Sequence, residues 1–162
     1  MPLSEGSSKK RQVSEPVARM TVGVLSLIGV FIASYLLLHK FGVVGTLACG
    51  TGDCGVVQAS RWAIFLGVPV PAWGVIGYTM IFGTAILSIQ PRWIGDRRIG
   101  LFLFGMATIA FLFSAYLTAI EAFVLHAWCR WCVVSAVIAT LIFLLTLTEL
   151  RQGERGQGAI RR

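Results

Sequence analysis

The chain has 162 residues, with 14 Lys and Arg against 7 Asp and Glu, for a net charge of +7. Such basicity would suit a nucleic-acid partner, but 56% of the residues are apolar and only 13% are charged, where a soluble domain carries about 25%. The balance is that of a membrane protein, and it excludes a disordered chain, a collagen-like repeat and, with only four cysteines, a secreted domain stapled by disulfides.

A membrane-spanning helix needs about 20 apolar residues at about 1.5 Å each, and four charge-free stretches reach that length. Residues 1–19 form a polar tail. Residues 20–38, bounded by Arg19 and His39, make the first span. A signal peptide also begins with basic residues and an apolar run. Here, though, the run is long for one and no small-x-small cleavage site follows, so the segment reads as a retained helix. Its Ser26, Gly29 and Ala33 share a face on which another helix can approach closely.

Residues 39–71 form one long connection, and Gly42, Gly45, Gly50, Gly52 and Gly55 predict an irregular backbone in its first half. Residues 56–66 contain no helix breaker and mix Gln58, Ser60 and Arg61 with Val57, Trp62, Ile64 and Phe65. That mixture predicts a short helix lying at the membrane interface. Gly67, Pro69 and Pro71 end it and turn the chain into the second span, residues 72–89. The third span covers 99–120 and extends past Glu121 to about Leu125; the fourth covers 131–148 and stops at Glu149. The expected organisation is an all-α integral membrane protein. A four-transmembrane-helix bundle with a short interfacial helix in the first outer loop covers residues 20–150, and a basic tail covers 151–162. Both tails are expected to fray.

Lys and Arg near span ends are retained on the cytoplasmic side. Eleven of the fourteen cations fall on one side: Lys9, Lys10, Arg11 and Arg19; Arg92, Arg97 and Arg98; Arg151, Arg155, Arg161 and Arg162. Lys40, Arg61 and Arg130 fall on the other. Both termini are therefore expected in the cytoplasm, with every cysteine at the outer surface of the cytoplasmic (inner) membrane.

The cysteines come as two pairs, Cys49 and Cys54 in the outer loop and Cys129 and Cys132 where the fourth helix begins. Residues three apart on a helix share a face, close enough for a disulfide at a helix end. The helix dipole and the neighbouring Arg130 favour a thiolate at Cys129, which suits exchange better than permanent bridging. Cys49 and Cys54 close a small flexible ring that external thiols can reach. Together the pairs read as a relay from loop to helix and onward into the bilayer. No haem, flavin or iron-sulfur signature is present, so the acceptor is expected to be a lipid-soluble quinone. Two alternatives stay open: a four-cysteine zinc site and two structural disulfides. Glu121, the one carboxylate within a predicted span, is either functional or snorkels to the surface. His126, three residues before Cys129, either handles protons or is merely solvated.

These residues resemble the bacterial branch of the vitamin K epoxide reductase family. The resemblance spans about residues 20–148. It is carried by Cys49 and Cys54, by Ser60-Arg61-Trp62 beginning six residues after Cys54, by Gly74, and by Trp128-Cys129-Arg130-Trp131-Cys132. It implies a four-helix thiol oxidoreductase whose loop pair accepts electrons from a DsbA-like thioredoxin-fold protein. Cys49 would meet that partner, Cys54 would exchange with Cys129, and Cys132 would reduce ubiquinone or menaquinone. Ser60, Trp62 and Trp131 would border the quinone, with Arg130, Glu121 and His126 tuning the site and no metal taking part. Val70 and Ala136 stand where vertebrate members use Asn and Tyr to hold vitamin K, so epoxide reduction is not implied. The chain ends at Arg162 without the fused thioredoxin-like domain of many bacterial members, which implies a partner in trans. DsbB-like proteins share helix number and quinone use, but carry their Cys-x-x-Cys in the first outer loop.

Overall fold

The computed structural model describes residues 5–45, 53–93 and 96–160, with side chains from 17 to 152 within those segments. Five helices dominate it: α1 (Glu5–Lys40), α2 (Cys54–Ala59), α3 (Val70–Ile89), α4 (Arg97–Ile120) and α5 (Arg130–Ile160). A 3-10 turn (Arg61–Ala63) and a two-stranded hairpin, β1 (Ile64–Phe65) with β2 (Val68–Pro69), join α2 to α3. Four segments are long and apolar enough to cross a membrane: Val17–Lys40, Val70–Ile89, Arg97–Leu125 and Arg130–Gln152.

The spans close into a ring. α1 packs on α3 and α5, and α4 packs on the same two helices from the other side. Val22, Ile81, Leu103 and Ile142 fill the centre, while Phe31, Ile109, Leu112 and Phe123 face outward. Lipid is as apolar as the core, so small residues rather than large ones mark the helix contacts. Gly29 of α1 receives the Tyr78 ring of α3 so closely that a Cβ there would stand 2.6 Å from it. One turn on, Ala33 meets Gly74. The small-residue face expected on the first span is thus the α1–α3 seam. At the bundle end away from the cysteines, Arg19 donates to the Ser88 carbonyl at 2.9 Å and approaches Glu149 at 3.8 Å, joining α1, α3 and α5.

Two expectations are corrected. The tails are not wholly frayed: α1 starts at Glu5 and α5 continues to Ile160, because adding a residue to a formed helix costs little. The interfacial helix does not run to residue 66. Ser60 takes an extended backbone, and both its N–H and its hydroxyl donate to the Val57 carbonyl, at 3.2 and 2.7 Å, which ends α2. Beyond the 3-10 turn, Phe65 pairs with Val68 across Leu66-Gly67, whose φ angles of 53° and 79° are those of a tight type I′ hairpin turn. Pro71 then sits in the first turn of α3, where its missing N–H has no helical partner to lose.

Candidate active site

α4 does not end cleanly. It widens into a π-helical turn over Glu121–Leu125, closed by His126 in the left-handed region at φ 50° with its N–H on the Glu121 carbonyl. Such turns insert an extra residue and recur at functional sites. This one leaves Glu121 only 4% exposed, its Oε2 accepting from the Cys129 N–H at 3.1 Å. The Asp53 N–H donates to the Trp128 carbonyl at 3.1 Å, fastening the start of α2 beside the same turn.

Cys129 immediately precedes α5, and its sulfur accepts from the Cys132 N–H at 3.4 Å. This is helix N-capping by a sulfur atom. The Cys132 thiol donates to the same sulfur and holds the Cys129 thiol below its ordinary range, against the opposing pull of burial and of Glu121. Arg130 is exposed and is not a cause of that shift. Cys129 and Cys132 are free thiols, whereas Cys54 is disulfide-bonded. Cys54 and Cys129 are buried in one cluster flanked by Val57, Trp131 and Cys132. Cys49 lies outside the described residues. A disulfide sulfur is no thiolate ligand, so Cys54 in this state adds none to a zinc site. The carboxylate and two thiols of Glu121, Cys129 and Cys132, within 4.8 Å of one another, fall short of a closed four-ligand set.

Cys132 opens onto a mainly apolar cavity between the spans, the kind of lining that small apolar ligands occupy. Ile32 and Leu36 of α1, Tyr78 of α3, Phe113 and Leu117 of α4 and Val57 of α2 wall it. Ser60, Trp62 and Val70 line it as well. Most of its polar groups are already engaged. The Ser60 hydroxyl donates to Val57, the Thr118 hydroxyl to Ser114 at 2.9 Å, and the Tyr78 hydroxyl to the Ser135 carbonyl at 2.8 Å. Gln58 differs: it is 5% exposed, lines the cavity, and its Oε1 has no partner among the described residues. Lys40 at the end of α1 donates to the Gln58 carbonyl and so holds α2 in place over the cavity.

Of the residues expected at the site, Cys54, Cys129, Cys132 and Glu121 come together, and Ser60 and Trp62 line the same cavity as Cys132 and Glu121. Trp131 is not part of the lining; its ring packs on Tyr35 of α1 at 5.3 Å. Ala136 and the exposed His126 and Arg130 also lie outside it. Gln58 and Tyr78 are site residues that sequence reasoning missed. A signal for Gln58 existed: Cys54, Val57 and Gln58 stand three and four apart and share one helical face. No local pattern marks Tyr78.

Among curated proteins, the chain is 32% identical over 112 residues to thiol-disulfide oxidoreductase LTO1 of Arabidopsis thaliana, covering 65% of this chain and 29% of that protein. The chain therefore spans less than a third of that relative's length. The description of the Vitamin K epoxide reductase family matches residues 20–147, a stretch that takes in Cys49, Cys54, Cys129 and Cys132 and reaches into all four spans. On that match, and on the membrane bundle that carries it, the chain belongs to the Vitamin K epoxide reductase family.

Proposed function

We propose that the protein is a membrane thiol-disulfide oxidoreductase that moves electrons from a DsbA-like thioredoxin-fold protein outside the cytoplasm to a membrane quinone. The observation that carries this reading is a free Cys132 opening onto an apolar cavity among the spans, beside a Cys129 packed against disulfide-bonded Cys54. Cys49 and Cys54 form the outer pair and take two electrons from the partner's dithiol. Cys54 then attacks Cys129, and after exchange the outer disulfide is restored while Cys129 and Cys132 are left reduced. An oxidised Cys54 with two free inner thiols matches the stage between that exchange and electron delivery to the acceptor. The hydrocarbon walls suit a planar apolar head group, and the Gln58 Oε1, without a partner among the described residues, can accept from a hydroxyl of the reduced quinol. A quinone bound there supplies a two-electron, two-proton sink.

Orientation follows the cation asymmetry: both tails in the cytoplasm and the cysteine end outside. The test is a thiol-trapping gel on membranes. Added quinone is expected to convert Cys129 and Cys132 from alkylatable to protected, and Cys132→Ser is expected to abolish the response. Cys132→Ser membranes that oxidise the partner protein at the normal rate would refute the pathway.

A further inference from the structure

Glu121 has no part in the electron transfer as described, yet its placement is expensive. Burial of a carboxylate among apolar helices costs free energy, and a neutral glutamine could accept the Cys129 N–H without that cost. Among the described residues lining the cavity Glu121 is the only acid. Its carboxylate oxygen stands within 4.8 Å of both the Cys129 and the Cys132 sulfur and is held by the Cys129 N–H. The π-helical turn fixes that position from the α4 side. The other titratable groups beside it are the two thiols and, in the same cavity lining, Tyr78 of α3; α1 and α2 contribute Ile32, Leu36, Val57 and the neutral Gln58.

We propose that Glu121 is the proton carrier of the site, taking the Cys132 thiol proton as the Cys129–Cys132 disulfide forms and passing it to an oxygen of the acceptor in the cavity. The proposal rests on the quinone reading above. Its balance is complete. Two S–H bonds break and one S–S bond forms, and the two electrons pass to the quinone. One proton travels through Glu121, and the other leaves Cys129 while the second quinone oxygen takes one from water at the cavity mouth. Glu121 ends as it began.

The first arm of the test uses no quinone. In a Cys129→Ser background, N-ethylmaleimide alkylates Cys132, and Glu121→Gln is expected to slow that reaction at least tenfold, since a positioned base is worth about 10²–10⁴-fold. A carboxylate acting through charge alone opposes thiolate formation, so an equal or faster rate in Glu121→Gln overturns the proposal. Glu121→Asp, which keeps the acid, is expected to retain an intermediate rate. Deuterated solvent should slow the alkylation when Glu121 is present, a measurement that needs no Glu121 variant; no slowing also overturns it. In the second arm, reduced full-length protein is mixed with a short-chain ubiquinone, and Glu121→Gln is expected to be oxidised at least tenfold more slowly. If the protein with Glu121 intact is not oxidised by quinone while the first arm gives its expected result, the quinone reading falls and the proton role of Glu121 stands.

Discussion

Replacing Gly29 by alanine tests the α1–α3 seam. A Cβ at Gly29 would stand 2.6–2.7 Å from three atoms of the Tyr78 ring, where carbon atoms rest at about 3.5–4.0 Å. The ring must therefore move by about 1 Å. Overpacking of this kind costs about 1–3 kcal/mol. The shift also draws the Tyr78 hydroxyl away from Ser135, with which it makes contacts of 2.8 and 2.9 Å, at about 0.5–1.5 kcal/mol. Alanine returns about 1 kcal/mol of helix propensity over glycine. The expected net loss is about 1–3 kcal/mol, a fall of about 2–12 °C in the thermal midpoint of the detergent-purified protein. The decisive measurement is a double-mutant cycle with Tyr78→Ala. With the ring gone, Gly29→Ala should be neutral or stabilising. If it costs as much without the ring as with it, the close-approach argument is wrong.

Three further outcomes are expected. Alkylation of a thiol rises as pH passes its pKa. Because the Cys132 thiol holds Cys129 low, that rise should come below the ordinary value of about 8.5. Cys132→Ala should move it upward, and an unmoved midpoint for Cys129 alkylation would assign the effect elsewhere. Leu66 is 78% exposed and bears a positive φ, so Leu66→Asn, giving the Asn-Gly pair that type I′ turns favour, should add about 1 kcal/mol and about 2–4 °C; an unchanged or lower midpoint counts against the turn. Lys40→Met removes the tie to the Gln58 carbonyl. Hydrogen exchange across residues 54–63 should then quicken several-fold while the middle of α5 is unaffected, and equal exchange in both proteins would show that Lys40 does not hold α2.

The spans were legible because the bilayer imposes a length and excludes charge, and both constraints are written in the local sequence. The ends of α1 and α5 were not, since a helix that has left the membrane continues through polar residues that carry no apolar signal. Ser60 shows another limit. Residues 56–66 have the composition of a helix, but one hydroxyl competing for the Val57 carbonyl ended it and let Phe65 and Val68 pair. At the site, the spacing of Cys129 and Cys132 announced redox chemistry, and Glu121 stood out as an acid in an apolar run. That Glu121 folds back onto the Cys129 N–H depends on a π-helical turn, which has no recognisable sequence pattern. Gln58 reads as a surface residue of an interfacial helix and is buried because α2 lies over the cavity. Trp131 packs on the Cys54–Cys129 cluster and on Tyr35 and does not line the cavity.

The sequence by itself determined the solvent, the number of crossings and the two cysteine pairs, because apolar length and residue spacing are properties of a segment alone. Only the tertiary structure decided what surrounds Cys132. The cavity is the space left between helices whose residues lie far apart in the chain, from Ile32 to Ser135, and its width is set at one seam by a glycine meeting a tyrosine 49 positions away. A gap among packed helices is a property of none of them singly, so no reading of one segment at a time could contain it.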